Sequence, residues 1–168
     1  MFKFKYKTPS QFDDIVLTSD GDVLTGLRFD NDKNRQKELA SYKTQFLPIF
    51  KETVLWLDEY FSGKMPSFTP KDKIENLTPF RKIVVDIMNA ISIGDTKTYG
   101  EIANEIAKMK GIKKMSAQAV GGAVGFNPIC IIVPCHRVVG NNGKLVGYGG
   151  GVNNKKNLLI LEKQFKSI

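Results

Sequence analysis

The chain has 168 residues, 42 % of them apolar and 25 % charged, the balance of a globular protein with a core of its own, which excludes an intrinsically disordered chain. Its longest apolar run, residues 129–133, is far too short to cross a bilayer, and residues 1–8 offer no apolar signal core, so a cytoplasmic protein without membrane attachment is expected. The net charge of +8 is unevenly placed: residues 1–75 hold 12 basic and 12 acidic side chains, residues 76–168 hold 13 and 5.

That asymmetry has two readings, a solvated basic face or a C-terminal half built for a polyanion, since clustered cations gain affinity for phosphates by releasing counterions. At the N-terminus Phe2, Phe4 and Tyr6 alternate with Lys3, Lys5 and Lys7, the period of a half-buried strand. Ile15-Val16-Leu17, the turn Ser19-Asp20-Gly21-Asp22, and Val23-Leu24 running on to Leu27 and Phe29 predict a hairpin, with a polar loop over residues 30–35. Helical spacing follows through Leu39, Tyr42 and Phe46. A second helix opens at Pro48, runs through Phe50, Val54, Leu57 and Phe61, and stops at Gly63. Trp56 and Tyr60 read as packing residues without chemistry. Residues 63–76, with Pro66 and Pro70, read as the linker between a neutral part, residues 1–76, and a basic part, residues 77–168.

Thr78-Pro79 starts the next helix, with Phe80, Val84, Ile87 and Ile91 on one face. Thr98-Tyr99-Gly100-Glu101 starts another that ends by Gly111. After the basic turn at Lys113 and Lys114, Ser116 caps a third helix reaching Val124. Two short helices joined by a tight turn in a basic region form a helix-turn-helix pattern. The second of them places Gln118, Gly121, Gly122 and Gly125 on one face, with Ala119 and Ala123 beside it. Glycine weakens a helix by roughly 1 kcal/mol relative to alanine, so something must come close to this backbone: another helix, or a nucleic-acid groove.

Residues 129–133 then predict a fully buried strand, stopped by Pro134, with Cys135 and His136 immediately after it. His136 is the one histidine of the chain, and Cys135 and Cys130 are its two cysteines. A free thiol is mostly protonated at neutral pH and needs a base or positive surroundings to react, for which His136 and Arg137 stand ready; an inert core thiol is the other reading. Neighbours on an extended strand point to opposite faces, so a bridging water between Cys135 and His136 is as natural as direct contact. There is no CxxC, HxxxH or HExxH pattern, and no metal is expected. The run Gly147-Tyr148-Gly149-Gly150-Gly151 lacks the setting of a phosphate-binding loop, so no nucleotide cofactor is expected. It suits close backbone approach to a flat ligand instead. Leu158 and Leu161 mark a last helix.

Three motifs in series, Thr98-Tyr99-Gly100-Glu101-Ile102-Ala103, Ala119-Val120-Gly121-Gly122-Ala123 with Asn127-Pro128, and Pro134-Cys135-His136-Arg137-Val138-Val139, resemble the O6-alkylguanine-DNA alkyltransferase family over roughly residues 78–162. The first half is similar more loosely, through residues 57–63 and Phe68. The resemblance implies an α+β protein, with an N-terminal ribonuclease-H-like small sheet with helices and a C-terminal winged-helix-like domain that binds DNA and holds the active site. It implies that Cys135 accepts the alkyl group, activated through water by His136, which Glu162 orients. Asn127 would hold the turn, and Tyr99 would press on the flipped nucleotide's phosphate and help protonate the leaving guanine. Gln118, Ala119, Gly122, Arg137, Lys113 and Lys114 would meet DNA, with Arg137 also supporting the site. Val138, Tyr148, Gly149 and Val146 would line the guanine pocket. The implied partner is double-stranded DNA carrying O6-alkylguanine, met by a monomer without a cofactor. In the family an arginine commonly stands where this chain has Gln118, which implies weaker DNA binding here, and Lys110, Lys113 and Lys114 would compensate. Competing readings are a non-catalytic binder of alkylated DNA, a cysteine hydrolase and a winged-helix regulator.

Overall fold

A computed structural model describes residues 1–165, the side chain of Asn34 excepted. Strands β1 (Phe2–Tyr6), β2 (Ile15–Ser19) and β3 (Leu24–Phe29) form an antiparallel meander, and β4 (Lys43–Thr44) adds to β1 in parallel, giving the order β3-β2-β1-β4. The β2–β3 turn is built by Asp20, whose Oδ1 accepts from the amides of Asp22 (3.0 Å) and Val23 (3.1 Å), while Gly21 takes a φ of 123°. Helix α2 (Pro48–Phe61) opens on proline as expected and lies on the sheet, burying Ile49, Phe50, Trp56, Leu57 and Tyr60 against Ile15, Leu17 and Leu27.

Two expectations fail in this half. Helix α1 (Lys33–Glu38) occupies part of the segment read as a loop, with the Arg35 amide donating to Asp32 Oδ1 (3.4 Å) in its first turn. Where Leu39, Tyr42 and Phe46 predicted a helix, the chain makes only a 3-10 turn and then β4. The edge of β1 captures this segment: the amides of Lys43 and Gln45 donate to the carbonyls of Met1 (3.2 Å) and Lys3 (3.3 Å). Sheet pairing has overridden a helical period too short to bury its own face.

The linking segment runs along the sheet. Leu24 N donates to Lys71 O and Lys73 N to Leu24 O, both at 2.9 Å, bridging Leu24 to Asp72. Helix α3 (Pro79–Asn89) is capped by Thr78 and buries Val84, Val85, Ile87 and Met88. Strand β5 (Lys97–Thr98) leads directly into α4 (Tyr99–Lys110), whose start is a reciprocal capping box: Glu101 N donates to Thr98 Oγ1 (3.1 Å) and Thr98 N to Glu101 Oε2 (2.7 Å). Gly111 ends it with a φ of 63°, and α5 (Ala117–Gly125) follows, capped by Ser116. Strand β6 (Val138–Val139) pairs with β5 in parallel, and α6 (Val152–Phe165) closes the structure. Among the described residues no helix is long and apolar enough to cross a membrane. Residues 166–168, the end of the second segment expected from the sequence, lie outside the described residues.

The apolar run before Cys135 is not a strand. Ile129 alone bridges to Leu27, with Leu27 N donating to Pro128 O (2.9 Å) and Cys130 N to Leu27 O (2.8 Å). The chain then coils back through Ile131, which takes a φ of 70°, and Val133 N returns to Ile129 O (3.1 Å). The run is apolar because this coil is buried, and burial alone does not specify extension.

Candidate functional site

Asn127 is the centre of that coil. Its side chain, 3 % exposed, donates to the carbonyls of Ile129 (3.3 Å) and Val133 (2.9 Å) and to Cys135 Sγ (3.1 Å), and its Oδ1 accepts from Ile129 N (3.0 Å). One amide thus satisfies a turn that has no ladder to satisfy it, and points a donor at the thiol. Cys135 begins a 3-10 turn with His136 and Arg137 and is 4 % exposed.

His136 is fully buried, its Nε2 2.7 Å from Glu162 Oε1. Glu162 is equally buried and takes five donors. Oε1 meets His136, Tyr60 Oη (2.8 Å) and Arg137 Nη2 (2.9 Å), while Oε2 meets Arg137 Nε (2.9 Å) and Gly94 N (3.3 Å). Burial alone would raise the Glu162 carboxyl, but its bonds to His136 and Arg137 hold it far below the usual carboxylate range. Burial pushes His136 below its ordinary value, against the pull of Glu162. The pair is therefore a carboxylate and a neutral imidazole at pH 7. Nε2 carries the proton given to Glu162, which leaves Nδ1 as an acceptor, and Nδ1 is buried without a protein partner.

The Cys135 thiol is pulled below its ordinary value, first by a hydrogen bond from Cys130 and, against the cost of burial, by Asn127 and the charge of Lys155. Cys130 carries the opposite shift, well above the ordinary value, from the same bond and its burial. Lys155, with no exposed surface, donates from Nζ to Val138 O (2.5 Å) and Val146 O (3.3 Å) and faces the rings of Tyr99 and Tyr148 at 5.9 and 5.7 Å. Burial lowers its pKa, opposed by Cys135.

A cavity of about 40 Å³ lies between Cys135, Cys130, Tyr148 and Arg28. Tyr148 fills most of the space over the thiols. Its hydroxyl is buried with no hydrogen-bond partner of good geometry, and burial, followed by the two nearby sulfurs, drives it well above the ordinary tyrosine value. The loop that carries it turns on Gly147 (φ 55°) and Gly151 (φ 88°) and is held at Gly150 O by Asn31 Nδ2 and Asn154 Nδ2, each at 2.7 Å. Gly149 and Val146 are exposed on this loop, while Val138 is buried with its carbonyl bound to Lys155.

Outside the thiol, Tyr99, Gln118, Gly121, Gly122, Val146 and Gly147 line an open groove. Tyr99 Oη donates to Val146 O (3.4 Å). Gln118, Ala119 and Gly122 are exposed, and a Cβ added at Gly122 or Gly125 would meet nothing within 4 Å. No packed helix accounts for Gly122 and Gly125, whereas a Cβ at Gly121 would meet the Tyr99 ring at the start of α4 at 3.8 Å, so helix contact explains one glycine of the face and not the other two. Lys113 and Lys114 are exposed on the turn between α4 and α5. Arg137 is a correction: expected against DNA, it is buried, bound to Glu162 and, through Nη1, to Ile91 O (2.7 Å). A second correction concerns Tyr60, expected to pack only, whose hydroxyl donates to Glu162 Oε1. Lys155 and Cys130 were not singled out either. A signal for Lys155 does exist, since it shares a helical face with Leu158 and Glu162, where a lysine has no reason to be unless it is used.

Two family models match the chain: the ribonuclease-like domain of 6-O-methylguanine DNA methyltransferase over residues 3–71 and the DNA binding domain of the same enzyme over residues 79–164. A methylated-DNA–protein-cysteine methyltransferase of Haemophilus influenzae is 36 % identical over 92 % of this chain and 83 % of its own length. One from Methanosarcina mazei is 41 % identical over 89 % of this chain and 90 % of its own. Among solved structures, Mycobacterium tuberculosis OGT in complex with DNA superposes with a TM-score of 0.77 at 38 % identity, covering 96 % of this chain and 93 % of that one. The O6-methylguanine-DNA methyltransferase of Pyrococcus kodakaraensis gives 0.67 at 28 %, covering 95 % and 97 %. With a buried thiol held by Asn127 and a neutral histidine held by Glu162, and with these matches along nearly its whole length, the chain belongs to the O6-alkylguanine-DNA alkyltransferase family of methylated-DNA–protein-cysteine methyltransferases.

Proposed function

We propose that this protein repairs DNA by direct reversal, taking the alkyl group from O6-alkylguanine onto Cys135. The observation that carries the reading is the opposed shift of two buried groups: a cysteine pulled toward thiolate beside a histidine kept neutral, its Nδ1 free to accept. The thiol proton passes to His136 Nδ1 through water, and Glu162 keeps the ring in the accepting tautomer. The Cys135 sulfur then forms a bond to the alkyl carbon as that carbon's bond to O6 breaks, and guanine leaves with the electron pair. Tyr99, at the mouth of the groove, is placed to return a proton to the base. Guanine O6 is paired inside a duplex, so the nucleotide must be rotated out, at a cost of a few kcal/mol. The open glycine face of α5 allows the DNA backbone to come close, and Gln118 stands at its start. A cavity of about 40 Å³ is far smaller than the roughly 300 Å³ or more of an ordinary ligand pocket, and Tyr148, on its glycine-flanked loop, is the side chain whose movement would widen it for a base.

The product is a thioether with no good leaving group, and each molecule acts once. The division near residue 76 separates a sheet-bearing part from the part that meets DNA, and the two family matches support it. Both cysteines are free thiols, as a reducing compartment such as the cytoplasm would keep them. The test is incubation with duplex DNA carrying O6-methylguanine labelled in the methyl group. One label per protein, located on Cys135 and absent from Cys135→Ala, is expected. Bound DNA without transferred label would instead make the chain a non-catalytic binder, and repeated turnover would make it a hydrolase.

A further inference from the structure

Cys130 forms and breaks no bond in the transfer just described, lending Cys135 only a hydrogen bond, yet it shares the reactive cavity with Cys135. The coil around Asn127 brings the two together. Ile131 turns back with a φ of 70°, Val133 N returns to Ile129 O, and Asn127 ties Ile129, Val133 and Cys135 to one amide group. Both side chains line that one cavity, almost fully buried, and each is the first cause of the other's pKa shift. The surroundings are electropositive, with the Arg28 guanidinium and the Lys155 ammonium acting on the Cys135 sulfur. We propose that Cys130 is a resolving thiol, which converts peroxide-oxidised Cys135 into a Cys130–Cys135 disulfide and so returns the acceptor to use after reduction. The proposal adds a second chemistry to the acceptor site and rests on Cys135 being its reactive thiol.

The chemistry balances with hydrogen peroxide as the oxidant. The Cys135 thiolate attacks one peroxide oxygen, the O–O bond breaks, and sulfenic acid and hydroxide form. The Cys130 sulfur then attacks the sulfenic sulfur, the S–O bond breaks, and the oxygen leaves as water with the Cys130 proton. In sum two thiols lose two electrons and two protons, and one peroxide becomes two waters. A dithiol reductant reverses the step by exchange. The division of labour suits the two shifts described above: the sulfur pulled toward thiolate meets the oxidant, and the one kept protonated waits. For a protein that spends its thiol once per lesion, oxidation of Cys135 past the sulfenic acid is a permanent loss, and a neighbour five residues away prevents it.

The whole protein, treated with peroxide and then split between a dithiothreitol-treated and an untreated half, provides the test. Cleavage after Lys114 and Arg137 releases residues 115–137 with both cysteines on one peptide. In the wild type that peptide is expected to be two hydrogen atoms lighter after peroxide, and methyl transfer, measured against the same protein before treatment, returns on reduction. In Cys130→Ser and Cys130→Ala the peptide instead gains two or three oxygen atoms, and transfer stays lost after reduction. Two substitutions guard against a packing defect in either one. A wild-type peptide that shows no loss of hydrogen, or equal recovery in wild type and both variants, would overturn the proposal. If the protein transfers no methyl group before peroxide, it is the repair function that fails, and the peptide mass still decides the disulfide.

Discussion

At the level of single residues, His136 is the most exposed to test because it is the one histidine in the chain. Its pKa in the folded protein lies below the ordinary value, so the unfolded chain binds a proton more readily, and stability must fall as pH drops below about 6.5. Glu162 shifts downward too, and so adds a second loss with the same sign, beginning near the ordinary carboxylate value of about 4.3. A thermal unfolding series from pH 8 to pH 2 should therefore show the midpoint declining in two stages, and His136→Asn should lack the upper stage. A midpoint that stays flat to pH 5 in the wild type would contradict the buried neutral imidazole. Much at this scale was legible without coordinates. Asn127, Cys135 and His136 sit in the motifs themselves and Glu162 comes from the resemblance; the fold brings Asn127 onto Cys135 and Glu162 onto His136. Arg137 reads both ways, mainly as support for the site and also against DNA, because a basic residue beside a reactive thiol in a basic segment looks the same in sequence whether it faces phosphate or a buried carboxylate; it meets the carboxylate of Glu162.

The helical hairpin α4–α5 is the element through which we propose DNA is held. Its caps at Thr98 and Ser116 and its end at Gly111 were readable, since each is a local bargain between a side chain and unpaired amides. The missing strand at residues 129–133 was not, because a continuous apolar run reports burial and is silent on backbone shape. On α5, Gln118 is exposed at the edge of an open groove and carries no charge to meet phosphate. Gln118→Arg is expected to tighten duplex binding roughly threefold to tenfold at moderate salt and to steepen the salt dependence by about one counterion. Replacing Lys110, Lys113 and Lys114 with glutamine should flatten that dependence by about two to three. Binding titrations across salt concentration decide both, and slopes unmoved by either change would place the DNA elsewhere.

Considered as a whole molecule, the N-terminal sheet serves the chemistry more directly than its charge or sequence announced. Tyr60 reaches Glu162 across 102 positions of chain, Asn31 holds Gly150 across 119, and Leu27 pairs with the coil that carries both cysteines. Contacts of that span depend on how the two parts close on each other, and no local pattern encodes them, which is why Tyr60 read as packing. Removing its hydroxyl strips a donor from the oxygen that holds His136. That oxygen then pulls harder on the imidazole, the imidazole pKa rises, and the acid limb of the transfer rate should move to higher pH. Tyr60→Phe is expected to show that movement together with a rate loss of up to roughly tenfold to a hundredfold, the whole of a charged hydrogen bond of about 1.5–3 kcal/mol. A lowered unfolding temperature with an unmoved pH profile would reduce Tyr60 to packing.

The two-residue strands β5 and β6 set a distance. Thr98 pairs with Val139, so the residue that opens the DNA-facing helix hairpin and the turn that carries the thiol are registered to each other by a single short ladder. Length changes at that ladder would detune the machine, whereas the lysine-bearing turn at residues 111–115 hangs from the far end of α4 and shares no register with it. That turn is therefore the place where the protein can be lengthened, by drift or by a designer grafting a tag, while the distance from groove to sulfur stays fixed.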